Sequence, residues 1–210
     1  MTFSDLIFLV AVLVTLVTLL RIGYLLLRTR RLTAIRAARR WAIFATVYCG
    51  ALLFTSAVQA REVIPIGQAR CFDEWCVAVD GARRQPVLGG ARARGDYVIV
   101  SARILNRGRG RRQREREVYA ELRDDRGGVH GQSKEGQAAL RRSTGATAQL
   151  TDSVDAGASE RVELVFDIPK GSQSFEFLAA HVWFPHALII GDPESLFHRP
   201  TVVTLTPNGS

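Results

Sequence analysis

The chain has 210 residues, a formal net charge of +8 and three cysteines, enough for one domain of ordinary size together with a membrane anchor. Its 47% hydrophobic content is uneven: the excess lies in the first sixty residues, and the remainder is polar and rich in Arg and Gly. The positive charge is almost wholly arginine, since Lys134 and Lys170 are the only lysines. Much of that charge sits in one short loop between two apolar runs, which argues for a membrane boundary and against nucleic acid as a partner.

Leu6 to Leu27 is apolar apart from Thr15, Thr18 and Arg21. As a helix this run spans roughly 33 Å, enough to cross a hydrocarbon core. Arg21 lies within two turns of its end, where the long stem can snorkel toward headgroups. Trp41 to Ala60 is a second run, without charge and roughly 30 Å long as a helix. Its hydroxyls, on Thr46, Tyr48, Thr55 and Ser56, can bond to the helix backbone or across to a neighbour, and Trp41 stands where an interfacial aromatic belongs. Between the runs, residues 28–40 hold Arg28, Arg30, Arg31, Arg36, Arg39 and Arg40 and no acid. Short arginine-rich loops stay on the cytoplasmic side, so these six residues set the expected topology: N-terminus outside, loop inside, everything after Ala60 outside. The expected division is a transmembrane helical hairpin over 1–62, with helices at 6–27 and 41–60, and an extracytoplasmic domain over 63–210. The competing reading takes Arg39-Arg40, the following apolar run and Val58-Gln-Ala60 as a secretory signal cut after Ala60; the apolar run upstream argues against it. Cys49, inside the second run behind the bulky Tyr48, does not fit a lipid-attachment site.

Beyond Ala60 the hydrophobic period becomes two. Residues 161–168 place Val162, Leu164, Phe166 and Ile168 on one face, and Arg161, Glu163, Val165 and Asp167 on the other. Tyr97 to Leu105 repeats the pattern with Val98, Val100, Ala102 and Ile104 inward, as do Val118, Ala120 and Leu122. Trp75–Val79, Phe175–Phe184 and Thr201–Leu205 complete six or seven expected strands. Gly81, Gly89-Gly90, Gly95, residues 125–128 and 155–157 supply turn signals between them. A short helix fits only at 133–142. Many short strands without intervening helices predict an antiparallel sandwich or barrel.

Cys71-Phe-Asp-Glu-Trp-Cys-Val-Ala-Val-Asp80, Gly95-Asp-Tyr-Val-Ile-Val100 leading to Asn106, Val154-Asp-Ala-Gly157 and Leu164-Val-Phe-Asp-Ile-Pro169 occur in that order. In this the chain resembles the telokin-like, immunoglobulin-type domains of unknown function carried by bacterial membrane proteins and lipoproteins, over roughly residues 66–206. The resemblance implies an all-β Ig-like antiparallel sandwich outside the cytoplasm and transfers no catalytic residue; the arginine-dense stretch after Asn106 departs from its pattern.

Outside the cytoplasm, Cys71 and Cys76 at C-x4-C spacing read as a structural disulfide, worth roughly 2 kcal/mol for so small a loop; free or redox thiols and a metal site are the alternatives. From Arg103 to Arg116 there are seven arginines against Glu115 alone. Either this is a solvated hairpin loop, or Arg107, Arg109, Arg111, Arg112, Arg114 and Arg116 form a patch for an anionic partner. No aromatics interleave them, so no base-stacking platform exists. His130, His181, His186 and His198 are scattered; Asp192, Glu194 and His198 are the one conceivable metal group, and ordinary loop residues are the better reading. There is no nucleophile elbow, phosphate loop or H-E-x-x-H, and the paired acids Asp73-Glu74 and Asp124-Asp125 point apart in a strand. The expectation is a non-catalytic binding module at the bacterial cell envelope, without cofactor or metal. Its partners would be the lipid bilayer and another membrane protein or an anionic envelope component. The alternative is an accessory or ligand-sensing subunit docking a larger membrane complex through the hairpin.

Overall fold

The structure, a computed structural model, describes residues 3–145, 147–181, 186–190, 195 and 198–209. The chain divides into two compact units, residues 1–61 with 183–200 and residues 62–182 with 201–210.

The first unit is built on two helices, α1 (Phe3–Leu27) and α2 (Arg31–Val58). The expected loop 28–40 is a turn of residues 28–30 only. Residues 31–40 are helical because the stretch holds no Gly or Pro and its Leu, Ala and Arg are good helix formers. Thr29 takes the left-handed conformation at φ 58°, while Arg30 N–H donates to Leu25 O and Thr29 N–H to Leu26 O, both at 3.0 Å. That pair of bonds closes a helix C-terminus tightly. Trp41 Nε1 donates to Thr15 Oγ1 at 3.3 Å, tying the helices together. Both helices are long and apolar enough to cross a membrane, and Leu13, Leu20, Val47 and Phe54 are each more than half exposed. The same unit takes in the segment 183–200. There the Tyr48 hydroxyl donates to Leu188 O at 2.7 Å and Ser56 Oγ lies 3.1 Å from Ser195 Oγ, with Ala187, Ile189 and Ser195 buried.

The second unit is a sandwich of two sheets. Its strands are β1 (Val63–Ile64), β2 (Ala69–Phe72), β3 (Trp75–Leu88), β4 (Ala91–Asn106), β5 (Val118–Asp124), β6 (Val129–Gly131), β7 (Ser159–Ile168), β8 (Phe175–His181), β9 (Val202–Leu205) and β10 (Asn208–Gly209). One sheet runs β1-β9-β8-β5-β6, the other β10-β3-β4-β7 with β2 against β3. All pairings are antiparallel except the short β1–β9 and β10–β3 ladders. The part of the strand expected at 175–184 that lies beyond His181 falls outside the described residues. Two of the expected turn glycines lie inside strands. Gly95 is within β4, and Gly81 sits at a break in the β3–β4 register, where an extra residue reverses the inward alternation from Val77 and Val79 to Ala82.

The inward residues of both sheets form one core: Val98, Val100, Ala102 and Ile104 of β4, Val162, Leu164 and Phe166 of β7, Val118, Ala120 and Leu122 of β5, and Phe177 of β8. Phe166 and Phe177 meet edge to face across the sheets at 6.5 Å. A smaller core forms on the opposite face of β4 and β7. There Tyr97, Ile99 and Val165 are covered by Ala139 and Leu140 of a third helix, α3 (Lys134–Thr144). Ser133 caps it through a bond from Gly136 N–H, and Gly145 ends it at φ 70°. Gly136 permits the close approach, since a Cβ there would lie 2.5 Å from Val165 Cγ1 and 3.0 Å from Tyr97 Cε1.

The outer edge of β7 is closed by a side chain. Gln137 Nε2 donates to Glu163 O at 2.8 Å and its Oε1 accepts from Val165 N–H at 3.1 Å, while Ser133 N–H donates to Val165 O at 2.8 Å. The amide thus makes the bonds of a neighbouring strand and blunts an edge that would otherwise template association. Gln137→Ala is expected to cost about 1–2 kcal/mol by leaving two backbone groups unpaired and to raise the dimer and aggregate fraction; thermal melting and light scattering after size exclusion check both.

Candidate functional site

Cys71 and Cys76 form a disulfide. They are direct cross-strand partners in the β2–β3 hairpin, whose two-residue loop begins at Asp73 with φ 56°. Asp tolerates that region better than most residues. The bridge therefore fixes the start of β3, whose Trp75, one residue earlier, is buried in the main core.

The arginine-rich stretch divides. Arg103 belongs to β4, and its Nε donates to Asp80 Oδ1 at 2.9 Å; Asp80 lies at the register break that precedes Gly81. Residues 107–117 are not a hairpin loop, because β4 and β5 belong to different sheets; they cross from one sheet to the other. Buried Asn106 holds this crossing. Its Nδ2 donates to Arg111 O and Val154 O, both at 2.9 Å, and its Oδ1 accepts from Gly108 N–H at 2.9 Å. Arg107 N–H donates to Glu74 O at 2.7 Å, and Gln113 and Val154 exchange backbone bonds at 2.9 and 2.8 Å.

On this anchored backbone two arginines are engaged: Arg112 pairs with Asp155 at 2.7 Å and Arg114 Nε donates to Thr151 O at 2.8 Å. Arg107, Arg109, Arg111 and Arg116 are exposed, and their guanidinium groups have no partner among the described residues. A fixed backbone carrying unpaired guanidiniums suits carboxylate or phosphate recognition.

A cleft of 820 Å³ lies where the start of β4, β6, the N-terminus of α3 and the end of β7 converge. Both lysines, Lys134 and Lys170, line it, with Arg94, His130, Ser133 and Glu135 among the others. Asp167 is also there, its carboxylate accepting from Arg94 N–H and Gly95 N–H at 3.1 and 3.2 Å. Behind His130, whose Nε2 lies 2.9 Å from Asp124 Oδ2, the largely covered Asp124 side chain also accepts from Gly128 N–H and Arg126 N–H. The His130 bond, then these backbone donors, hold the Asp124 carboxyl below the usual carboxylate range against the opposing effect of burial. Arg83 does the same to Glu163 across the sheet. Sequence reasoning missed this cleft because no motif marks it; its lining comes from segments as far apart as Arg94 and Lys170.

The six topology arginines sit in the 28–30 turn (Arg28, Arg30) and on α2 (Arg31, Arg36, Arg39, Arg40). Asp192 and Glu194 of the conceivable metal group, and the side chain of His186, lie outside the described residues. Among the described residues no group of three or more metal-ligating side chains comes together.

No described protein family matches the sequence, nor does any curated relative. Among solved structures, a conserved hypothetical protein from Bacillus anthracis is 12% identical with a TM-score of 0.45, over 55% of this chain and 88% of that one. An uncharacterized β-sandwich protein from Clostridium difficile is 13% identical with a TM-score of 0.42, over 70% of this chain and 96% of that one. A secreted protein from Mycobacterium tuberculosis is 12% identical with a TM-score of 0.41, over 56% and 90%.

Asn106→Ala removes the donors to the Arg111 and Val154 carbonyls and is expected to cost about 2–3 kcal/mol, read as a lowered urea midpoint. The acid response has a defined sign. Carboxyls whose folded pKa is lowered stabilise the fold above their unfolded value near about 4 and lose that contribution as pH falls through the lowered one. The melting temperature is therefore expected to fall between neutral pH and about pH 3, and to fall less in Asp124→Asn; melts across the pH series measure both.

Proposed function

We propose that this chain is a membrane-anchored binding module: a telokin-like, Ig-like sandwich held outside the cytoplasm by a two-pass helical hairpin, with no catalytic role. The observation that carries the anchor is the exposure of apolar side chains around α1 and α2, with Leu13, Leu20, Val47 and Phe54 among them. Soluble chains bury or interrupt such surface. The arginine-rich turn and start of α2 favour the cytoplasmic side, and the Cys71–Cys76 bridge favours an oxidising compartment for the sandwich. The binding role rests on the anchored crossing with its exposed Arg107, Arg109, Arg111 and Arg116, which have no partner among the described residues and suit an anionic envelope component.

A second reading, an accessory subunit of a larger membrane complex, is favoured by one feature. Phe8, Val12, Leu16, Leu52 and Leu188 line an apolar cavity of 570 Å³ in the helical unit, a seat for apolar side chains of another helix.

The test is topology. With spheroplasts expressing the full chain, an added impermeant protease is expected to remove the sandwich while the helices stay in the membrane, and non-reducing analysis to show Cys71 joined to Cys76. A protected, reduced sandwich reverses the orientation and refutes the proposal. A soluble product beginning after Ala60 replaces the anchor with a cleaved signal.

A further inference from the structure

Arg21 is the one charge within the first apolar run, and snorkelling alone would account for it. The fold gives it company. Val14, Val17, Thr18 and Arg21 share one face of α1, at the i, i+3, i+4, i+7 spacing, and Thr33, Arg36, Ala37 and Arg40 share one face of α2. These faces, with Trp41 and Phe44, line one groove of 440 Å³. Three arginines thus line one groove with no acid among its lining residues, and none of the three has a hydrogen-bond or ion-pair partner among the described residues. Arg36 and Arg40, one turn apart, repel each other.

The lower part of the groove supplies the complement. Val14, Val17 and Phe44 are apolar, and Trp41, its indole N–H held by Thr15, has the amphipathic character of a headgroup-level residue. Cations at one end and hydrocarbon walls at the other match a single kind of occupant.

We infer that the Arg21–Arg36–Arg40 groove binds one anionic phospholipid. The guanidiniums take its phosphate oxygens, and an acyl chain lies along Val14, Val17 and Phe44. The inference rests on the membrane reading of α1 and α2. It gives Arg36 and Arg40 a role distinct from that of Arg28, Arg30 and Arg31, which lie at the turn and outside the groove.

The experiment uses the full chain reconstituted into phosphatidylcholine vesicles containing spin-labelled phosphatidylglycerol or spin-labelled phosphatidylcholine, and reads the motionally restricted fraction of each. The expected result is a preference of about fivefold for phosphatidylglycerol, abolished in R21Q/R36Q/R40Q and retained in the charge-matched R28Q/R30Q/R31Q. Excess inorganic phosphate should leave the preference unchanged. Equal loss in both triple variants would reduce the effect to diffuse attraction and overturn the site. Displacement by phosphate would assign the groove to a soluble anion and also overturn it, as would the absence of any preference. A chain that fails to float with the vesicles defeats the membrane reading itself, whereas one that floats without selectivity defeats only the lipid site.

Discussion

The sandwich depends on one strand that has no solvent-facing side along its middle. Residues 97–100 and Ala102 of β4 are buried almost completely, with Val98, Val100 and Ala102 in the inter-sheet core and Tyr97 and Ile99 beneath α3. A one-residue slip would exchange these two sets, putting aromatic bulk into the main core and valines under the helix. The register with β3 and β7 is fixed accordingly, and it places Arg103 next to Asp80 and Asn106 at the strand end, where its amide helps hold the crossing to β5.

How far this was legible follows the physical range of each signal. The alternations Val98/Val100/Ala102/Ile104 and Val162/Leu164/Phe166/Ile168 mark both strands and their inward faces, because period two is a local property. The short helix expected at 133–142 forms at Lys134–Thr144. Val165 reads as an outward residue yet is buried, since what covers it is Leu140 on a helix whose docking depends on the small Gly136. Gly81 and Gly95 read as turns because glycine is equally suited to a bulge or to tight packing between strands; a Cβ on Gly95 would stand 2.0 Å from Ile168 O. The disulfide was legible from spacing and expected compartment. The edge cap by Gln137, the cleft around Lys170 and the arginine trio were not, because each joins residues brought together only by the fold.

The two units answer the same problem of apolar surface in opposite ways. The sandwich hides it between sheets and compensates its exposed charges locally, as with Arg83 and Glu163 at 2.6 Å and Arg112 and Asp155. The exposed Arg112–Asp155 pair adds little stability. In the helical unit the apolar surface stays outward and the charges gather near the connecting turn, a distribution that water would not reward.

The scarcity of lysine has a practical corollary. Both side-chain primary amines of this arginine-rich protein open onto one cleft, Lys134 at the head of α3 and Lys170 just past β7. Acylating reagents that ignore guanidinium groups would therefore decorate the sandwich only around that rim, so a fluorophore or short cross-linker coupled through amide chemistry becomes a regioselective reporter on that part of the surface without any engineered cysteine.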